Sequence, residues 1–132
     1  YAFLRDAEGL EEPPWLTEAL ADCSDPTPLI VQAGLDASRP CPLCQQAIEL
    51  FVRILGAEAG NLGLRHVARG GVYIGGGMPA HLLLALTDGR LLEAFLAKGR
   101  LRFLVEDIPL YVITRPKVGL FGAACAALQT IA

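Results

Sequence analysis

The sequence predicts a helix-rich α/β fold with two parallel, buried strands. Three observations carry this. The runs Val72-Tyr73-Ile74 and "IPLYVITR" (108–115) are β-forming and almost wholly apolar, bounded by glycine or proline, as strands covered on both faces are. Segments with apolar residues at three- and four-residue spacing flank and separate them. The order helices, strand, helices, strand, helix suits parallel strands joined by right-handed crossovers. Sheets average about five or six strands, so the remainder of the sheet is expected outside this chain.

The bulk composition agrees with a globular reading. The 132 residues are 53% hydrophobic and 19% charged, enough apolar material for a core. A net charge of −3 with interspersed signs argues against a nucleic-acid partner. The longest apolar stretches fall short of the roughly 18 residues of a membrane span, and no signal-peptide pattern opens the chain. Cys23, Cys41, Cys44 and Cys125 read as reduced thiols, which suits a cytoplasmic location. The only methionine is Met78 and the chain opens on Tyr1, so it reads as cut from something longer.

Along the chain, "YAFLRDAEGLEE" begins with helix formers and places Tyr1 within a helix. "EPPWLTEALADC" reads as a turn at Pro13-Pro14 and a short helix. "DPTPLIVQAGLD" offers Thr27 as N-cap and Pro28 at the first helical position. The long helix is "RPCPLCQQAIELFVRILGAEAGNLGLRHVA", with Pro42 in its first turn. Leu43, Ala47, Ile48, Phe51, Ile54, Leu55, Ala59 and Leu62 form its apolar stripe. Gly56, Gly60 and Gly63 share one side and weaken the helix by about 1 kcal/mol each relative to Ala, so close approach of another backbone is expected there. After the first strand come "HLLLAL", a turn at Thr87-Asp88-Gly89, and "RLLEAFLAK" ending at Gly99 as a C′ glycine. "LRFLVED" adds a turn or two. Pro109 opens the second strand, where a missing N–H is tolerated, and "GLFGAACAALQTIA" closes as a small-residue helix able to pack on a sheet.

The segment "GGVYIGGGMPAHLL" (70–83) packs five glycines around the first strand. Gly75, Gly76 and Gly77 form a turn without side chains at the carboxyl edge of a parallel sheet, where ligands of open α/β folds bind. A nucleotide's adenosine could lie against that bare backbone; a tight strand-to-helix turn with no ligand reads equally well from the pattern. Cys41-Pro42-Leu43-Cys44 is a C-x-x-C at a helix N-terminus, where the dipole would lower a thiol pKa. No strand precedes it, and His66 and His81 lack zinc spacing, so half-buried structural cysteines are expected. His66 fits a solvated or capping role. Glu106 and Asp107 fit a helix end or loop better than acid–base work.

The passages "AGNLGL", "GGVYIGGGMPAHLL", "FLAKGRLRFLVEDIPLYVITRPKVGLFGAACAAL" resemble the C-terminal part of bacterial ATP-dependent glucokinases, in the hexokinase/actin-like ATPase superfamily. The likeness is dense from Cys41 to Gln129 and looser over residues 1–40, where "YAFLRD" resembles the helix after the family's "PG" turn. Some members carry the C-x-x-C. The resemblance implies that residues 1–132 are the C-terminal portion of a ribonuclease-H-like large domain. It implies that Gly75, Gly76 and Gly77 face the adenosine half of ATP, with Mg2+ as companion ion and glucose as the other substrate. The chain has Gly75 where the family usually has Ala, and its proline comes early, at Pro79. The family's phosphate loops, catalytic aspartate and glucose contacts precede the part matched by Tyr1. No catalytic residue and no metal ligand is therefore assigned within this chain, and it is expected to be inactive alone.

Two other readings stand beside this one: a non-catalytic nucleotide-binding or regulatory module derived from a sugar kinase, and a thiol-redox protein acting through Cys41 and Cys44. Two strands leave unpaired edges, which invite pairing with another copy, so a homo-oligomer is expected.

Overall fold

In a computed structural model that describes residues 1–131, the strands Val72–Ile74 (β1) and Leu110–Val112 (β2) pair in parallel. Val72 stands opposite Leu110, Tyr73 opposite Tyr111 and Ile74 opposite Val112. Parallel pairing requires a crossover, which runs through α5 (Met78–His81), α6 (Leu83–Thr87), α7 (Arg90–Leu96), a 3₁₀ turn at Gly99–Leu101 and α8 (Arg102–Val105). The other helices are α1 (Ala2–Asp6), α2 (Pro14–Ala21), α3 (Thr27–Leu35), α4 (Pro42–His66) and α9 (Val118–Ile131). The helix-rich α/β architecture with two parallel strands is thus the one the sequence predicts.

The strands are covered on one face, not both. Ile74 is buried, and Val72, Leu110 and Val112 are half-buried, while Tyr73 is 61% and Tyr111 46% exposed. An apolar run alone does not reveal that the second face lacks a covering layer among the described residues. Tyrosine suits such a face. The two rings stack with centroids 4.9 Å apart, and the Tyr73 hydroxyl donates to the Gly70 carbonyl at 3.3 Å, so apolar area meets apolar area and the polar tip stays wet.

The chain forms two compact units, one ending at Leu55 and one starting at Gly56. In the first, Leu4, Leu16, Ala33, Cys41, Leu43 and Cys44 make the core, with Trp15, Leu20 and Ile30 packed against it. Trp15 carries the Arg39 guanidinium 4.0 Å over its ring. Two helix starts differ from expectation. Tyr1 stands at the N-cap of α1, not inside it. Thr27 is already helical, with Pro26 at the cap position; Asp25 Oδ1 accepts the Thr27 N–H at 3.0 Å instead, so a carboxylate two residues upstream does the capping.

The long helix matches its predicted start at Pro42, but its buried face is not the predicted stripe. Leu43, Ile48 and Ala59 are buried, whereas Phe51 (38%), Ile54 (59%) and Leu62 (41%) are exposed and Val52 is fully buried. The covered row runs Cys44, Ile48, Val52, Gly56, Gly60, Gly63. Glycines, which carry no hydropathy signal, occupy its second half, so the pattern had to be read from their neighbours. The expected close approach is present: a Cβ at Gly56 would collide with the Leu91 carbonyl and lie 2.9 Å from Ala94 Cβ, and one at Gly60 would collide with the Phe95 carbonyl. This lets α7 lie close on α4, burying Leu91 and Phe95 at 2% and 0% exposure. At Gly63 a Cβ would meet only ordinary contacts, Val72, Phe95 and Ile108 at 3.5–3.6 Å, which places β1 and the end of the crossover against the same helix.

The last helix does not pack as expected. From Gly119 to Thr130 every residue of α9 is exposed, with Leu120 at 71% and Leu128 at 70%. Its apolar small-residue composition is right for covering a sheet, but no element of the described residues buries it. No helix among the described residues is long and apolar enough to cross a membrane.

Candidate functional site

Strand β1 ends where the Ile74 carbonyl accepts the Ile113 N–H at 2.8 Å, and the chain then turns through Gly75, Gly76 and Gly77 into α5. The three glycines have different physical reasons. At Gly75 a Cβ would sit 3.3 Å from Ile113 Cδ1, a tight contact with the side chain of the residue just after β2. Gly76 has φ +127, a region that L-residues with side chains avoid. Gly77 has φ −73 and ψ −38, an ordinary right-handed conformation, and a Cβ there would meet nothing within 4 Å. Neither backbone nor packing in this chain demands glycine at 77. The open space beside Gly76 and Gly77 is the kind of bare ledge that lets a flat ligand group approach main chain. Beyond it, Pro79 is buried in the first turn of α5 and Met78 is half-buried, which anchors the far side of the turn.

The other residues singled out from sequence lie in solvent or in the core. His66, His81, Glu106 and Asp107 are all exposed, Glu106 at the C-cap of α8, and they do not converge. Cys41 and Cys44 are fully buried, not half-buried, and all four cysteines are free thiols. Burial first, and then a hydrogen bond with Cys41, push the Cys44 thiol up to about 12. Desolvation therefore outweighs any helix-dipole effect, the pair is structural as expected, and the C-x-x-C lacks the accessible thiolate that redox exchange needs. Among the described residues no group of three His, Cys, Asp or Glu side chains could hold a metal ion. The first unit carries an open cavity of about 550 Å³ lined by Phe3, Leu10, Leu50, Glu8, Glu49 and Arg53 among others. Within its lining Arg53 Nε pairs with Glu49 Oε1 at 3.3 Å.

Two interactions had no local signal in the sequence. Lys98 Nζ donates to the Ala57 carbonyl at 2.6 Å and to Asn61 Oδ1 at 2.9 Å, spanning 41 and 37 residues. Glu12 accepts from the Tyr1 hydroxyl, from Thr17 Oγ1 at 2.7 Å and from Arg5 Nη1 at 3.2 Å. The hydrogen bond from Tyr1 foremost, then Thr17 and Arg5, holds the Glu12 carboxyl below its usual range.

A short parallel sheet, a side-chain-free turn at its carboxyl edge and a helical crossover packed on a glycine-bearing helix define a helix-rich α/β protein. The Glucokinase family model matches residues 1–130, and the chain belongs to that family. It is 41% identical over 138 aligned residues to a glucokinase of Nostoc punctiforme, an alignment covering 96% of this chain and 40% of that protein. It is 44% identical over 88 residues to a glucokinase of Synechocystis, covering 67% and 25%, and 45% identical over 82 residues to one of Colwellia psychrerythraea, covering 62% and 25%. The chain thus spans at most 40% of the length of these relatives.

Proposed function

We propose that this chain supplies the adenosine side of the ATP site in a glucokinase that transfers the γ-phosphate of ATP to the 6-hydroxyl of glucose. On this reading residues 1–132 belong to the C-terminal portion of a ribonuclease-H-like large domain, and Gly75, Gly76 and Gly77 face the nucleoside. Family membership supports the reaction class. The observation that carries the site is Gly77: in this chain its missing side chain answers no steric or conformational need, and room for a purine nucleoside accounts for it. ATP with Mg2+ would supply the phosphoryl group. What this chain's residues do is bind and orient; removing side chains from the ledge lets backbone approach the nucleoside, and correct placement is most of what phosphoryl transfer asks of a protein. The groups that move the phosphate and hold glucose lie, on this reading, outside these residues, and the segment alone is inactive.

The test is Gly77→Val in the intact protein. The backbone at 77 accepts any L-residue and the space is open, so the thermal midpoint should stay within about 2 °C, a change of about 1 kcal/mol at most. ATP affinity measured by calorimetry should fall about tenfold or more, the effect of lost contact worth roughly 1.4 kcal/mol, with glucose affinity unchanged. Unchanged ATP affinity in a folded Gly77→Val protein would leave the turn a turn and nothing more.

A further inference from the structure

We propose that Lys98, acting through Asn61 and α4, is a positioning residue for the glycine turn, so that a contact remote in sequence sets nucleotide affinity. This rests on the adenosine-site reading above. Three observations meet at one stretch of α4. The Lys98 ammonium holds the Ala57 carbonyl and Asn61 Oδ1 together, as charge-assisted bonds that are stronger than neutral ones. The Lys98 stem reaches them by lying across Gly60, where a Cβ would collide with Lys98 Cε and lie 3.0 Å from Nζ. On the next turn Gly63 seats Val72, the first residue of β1, at ordinary contact distance. The segment from 57 to 63 is therefore gripped on one side by Lys98 and carries β1, which leads into Gly75, on the other.

The amide at 61 is oriented for this task. Asn61 Nδ2 donates to Glu58 Oε2 at 3.2 Å, which turns its oxygen to Lys98, the one arrangement that gives donor and acceptor each a proper partner. Lys98 itself is fixed at the end of α7, its backbone N–H donating to the Leu96 carbonyl at 2.7 Å. The latch thus ties the end of the crossover helix to the helix on which β1 rests. Releasing it allows α4 and α7 to part at Gly60, and the strand end is then no longer held at one height.

The experiment compares wild type, Lys98→Met, Asn61→Leu and Asn61→Asp in the intact protein, reading ATP and glucose affinity by calorimetry and the nucleotide-free thermal midpoint. Asn61→Asp keeps an acceptor for the ammonium and should keep wild-type ATP affinity. Lys98→Met and Asn61→Leu should each weaken ATP about tenfold, within the range of remote coupling, with glucose affinity unchanged within about twofold. A fall in thermal midpoint without a change in ATP affinity overturns the proposal, since the latch would then serve stability alone. Should Lys98→Met fail to fold, Asn61→Leu is judged by the same criterion. ATP affinity altered by Gly77→Val yet unmoved by both latch variants overturns the latch and spares the site; affinity unmoved by Gly77→Val removes the site and the latch with it.

Discussion

Replacing Gly60 with alanine should destabilise the protein, while the same change at Gly63, one helical turn away, should not. Both substitutions gain the same helix propensity, about 1 kcal/mol for leaving glycine. They differ in what the new methyl meets. At 60 it would overlap the Phe95 carbonyl oxygen and Lys98 Cε. Lysine can swing aside, but the carbonyl belongs to the α7 backbone, and separating the atoms to van der Waals distance needs a displacement of about 1 Å. Overpacking of this kind costs about 1–3 kcal/mol. The upper end applies, because α7 must move as a body, loosening the fully buried Phe95. The net is a loss of roughly 2 kcal/mol at Gly60, or about 10 °C in melting temperature for a unit of this size. At Gly63 the nearest atoms lie at 3.5–3.6 Å, so Gly63→Ala should be neutral or stabilising by up to about 1 kcal/mol. Differential scanning calorimetry and urea denaturation of the two variants give the comparison. Equal shifts for both, or stabilisation by Gly60→Ala, would show that α4 and α7 are not in contact through these glycines.

Two further outcomes follow from the first unit. Burial keeps the Cys44 thiol protonated at pH 8 and closes both Cys41 and Cys44 off from solvent, so a disulfide reagent followed by peptide mapping should mark the exposed Cys23 and Cys125 within minutes and Cys41 and Cys44 only at the rate of unfolding; simultaneous labelling of all four would contradict the buried pair. The folded Glu12 carboxyl is held below its ordinary value of 4.5, so its contribution is fully present above that pH and disappears as pH falls through the lower folded value. Glu12→Gln should therefore lower the urea midpoint at pH 7 and flatten its decline below pH 4.5, and parallel acid limbs for the two proteins would sink that account.

Much of this architecture is legible in the residues because it is local. Proline at 42, glycine-bounded β-formers at 72–74 and a triple glycine before a proline each constrain the backbone within a few positions, and the structure puts a helix start, a strand and a turn there. Gly99, expected as a C′ glycine, has φ +53 but opens the 3₁₀ turn, because α7 ends earlier, at Leu96. What failed was non-local. The stripe on α4 was read from hydropathy, but the contacting face is decided by where α7 lies, and the glycines that permit the contact look like gaps in the pattern. Cys41 and Cys44 are structural, as expected, but fully and not half buried, because the helices that close over them come from residues far off in sequence. The strand faces differ because a period-two alternation needs more than three residues to show itself. Of the candidate site, the three glycines are visible in the sequence, but the different reason behind each appears only with φ values and neighbours in hand. The Lys98 contact joins residues 37 and 41 apart, beyond any periodicity.

The indole stacked beneath Arg39 is the chain's single tryptophan, and it belongs to the unit that ends at Leu55. Within this chain, intrinsic indole emission therefore watches the first unit and is blind to the second. The paired phenols at 73 and 111 are two of the chain's three tyrosines, and with Tyr1 replaced by phenylalanine the near-ultraviolet dichroism of tyrosine would report on that other unit. Following both signals through a single melt would reveal whether the two units lose their structure together or in sequence.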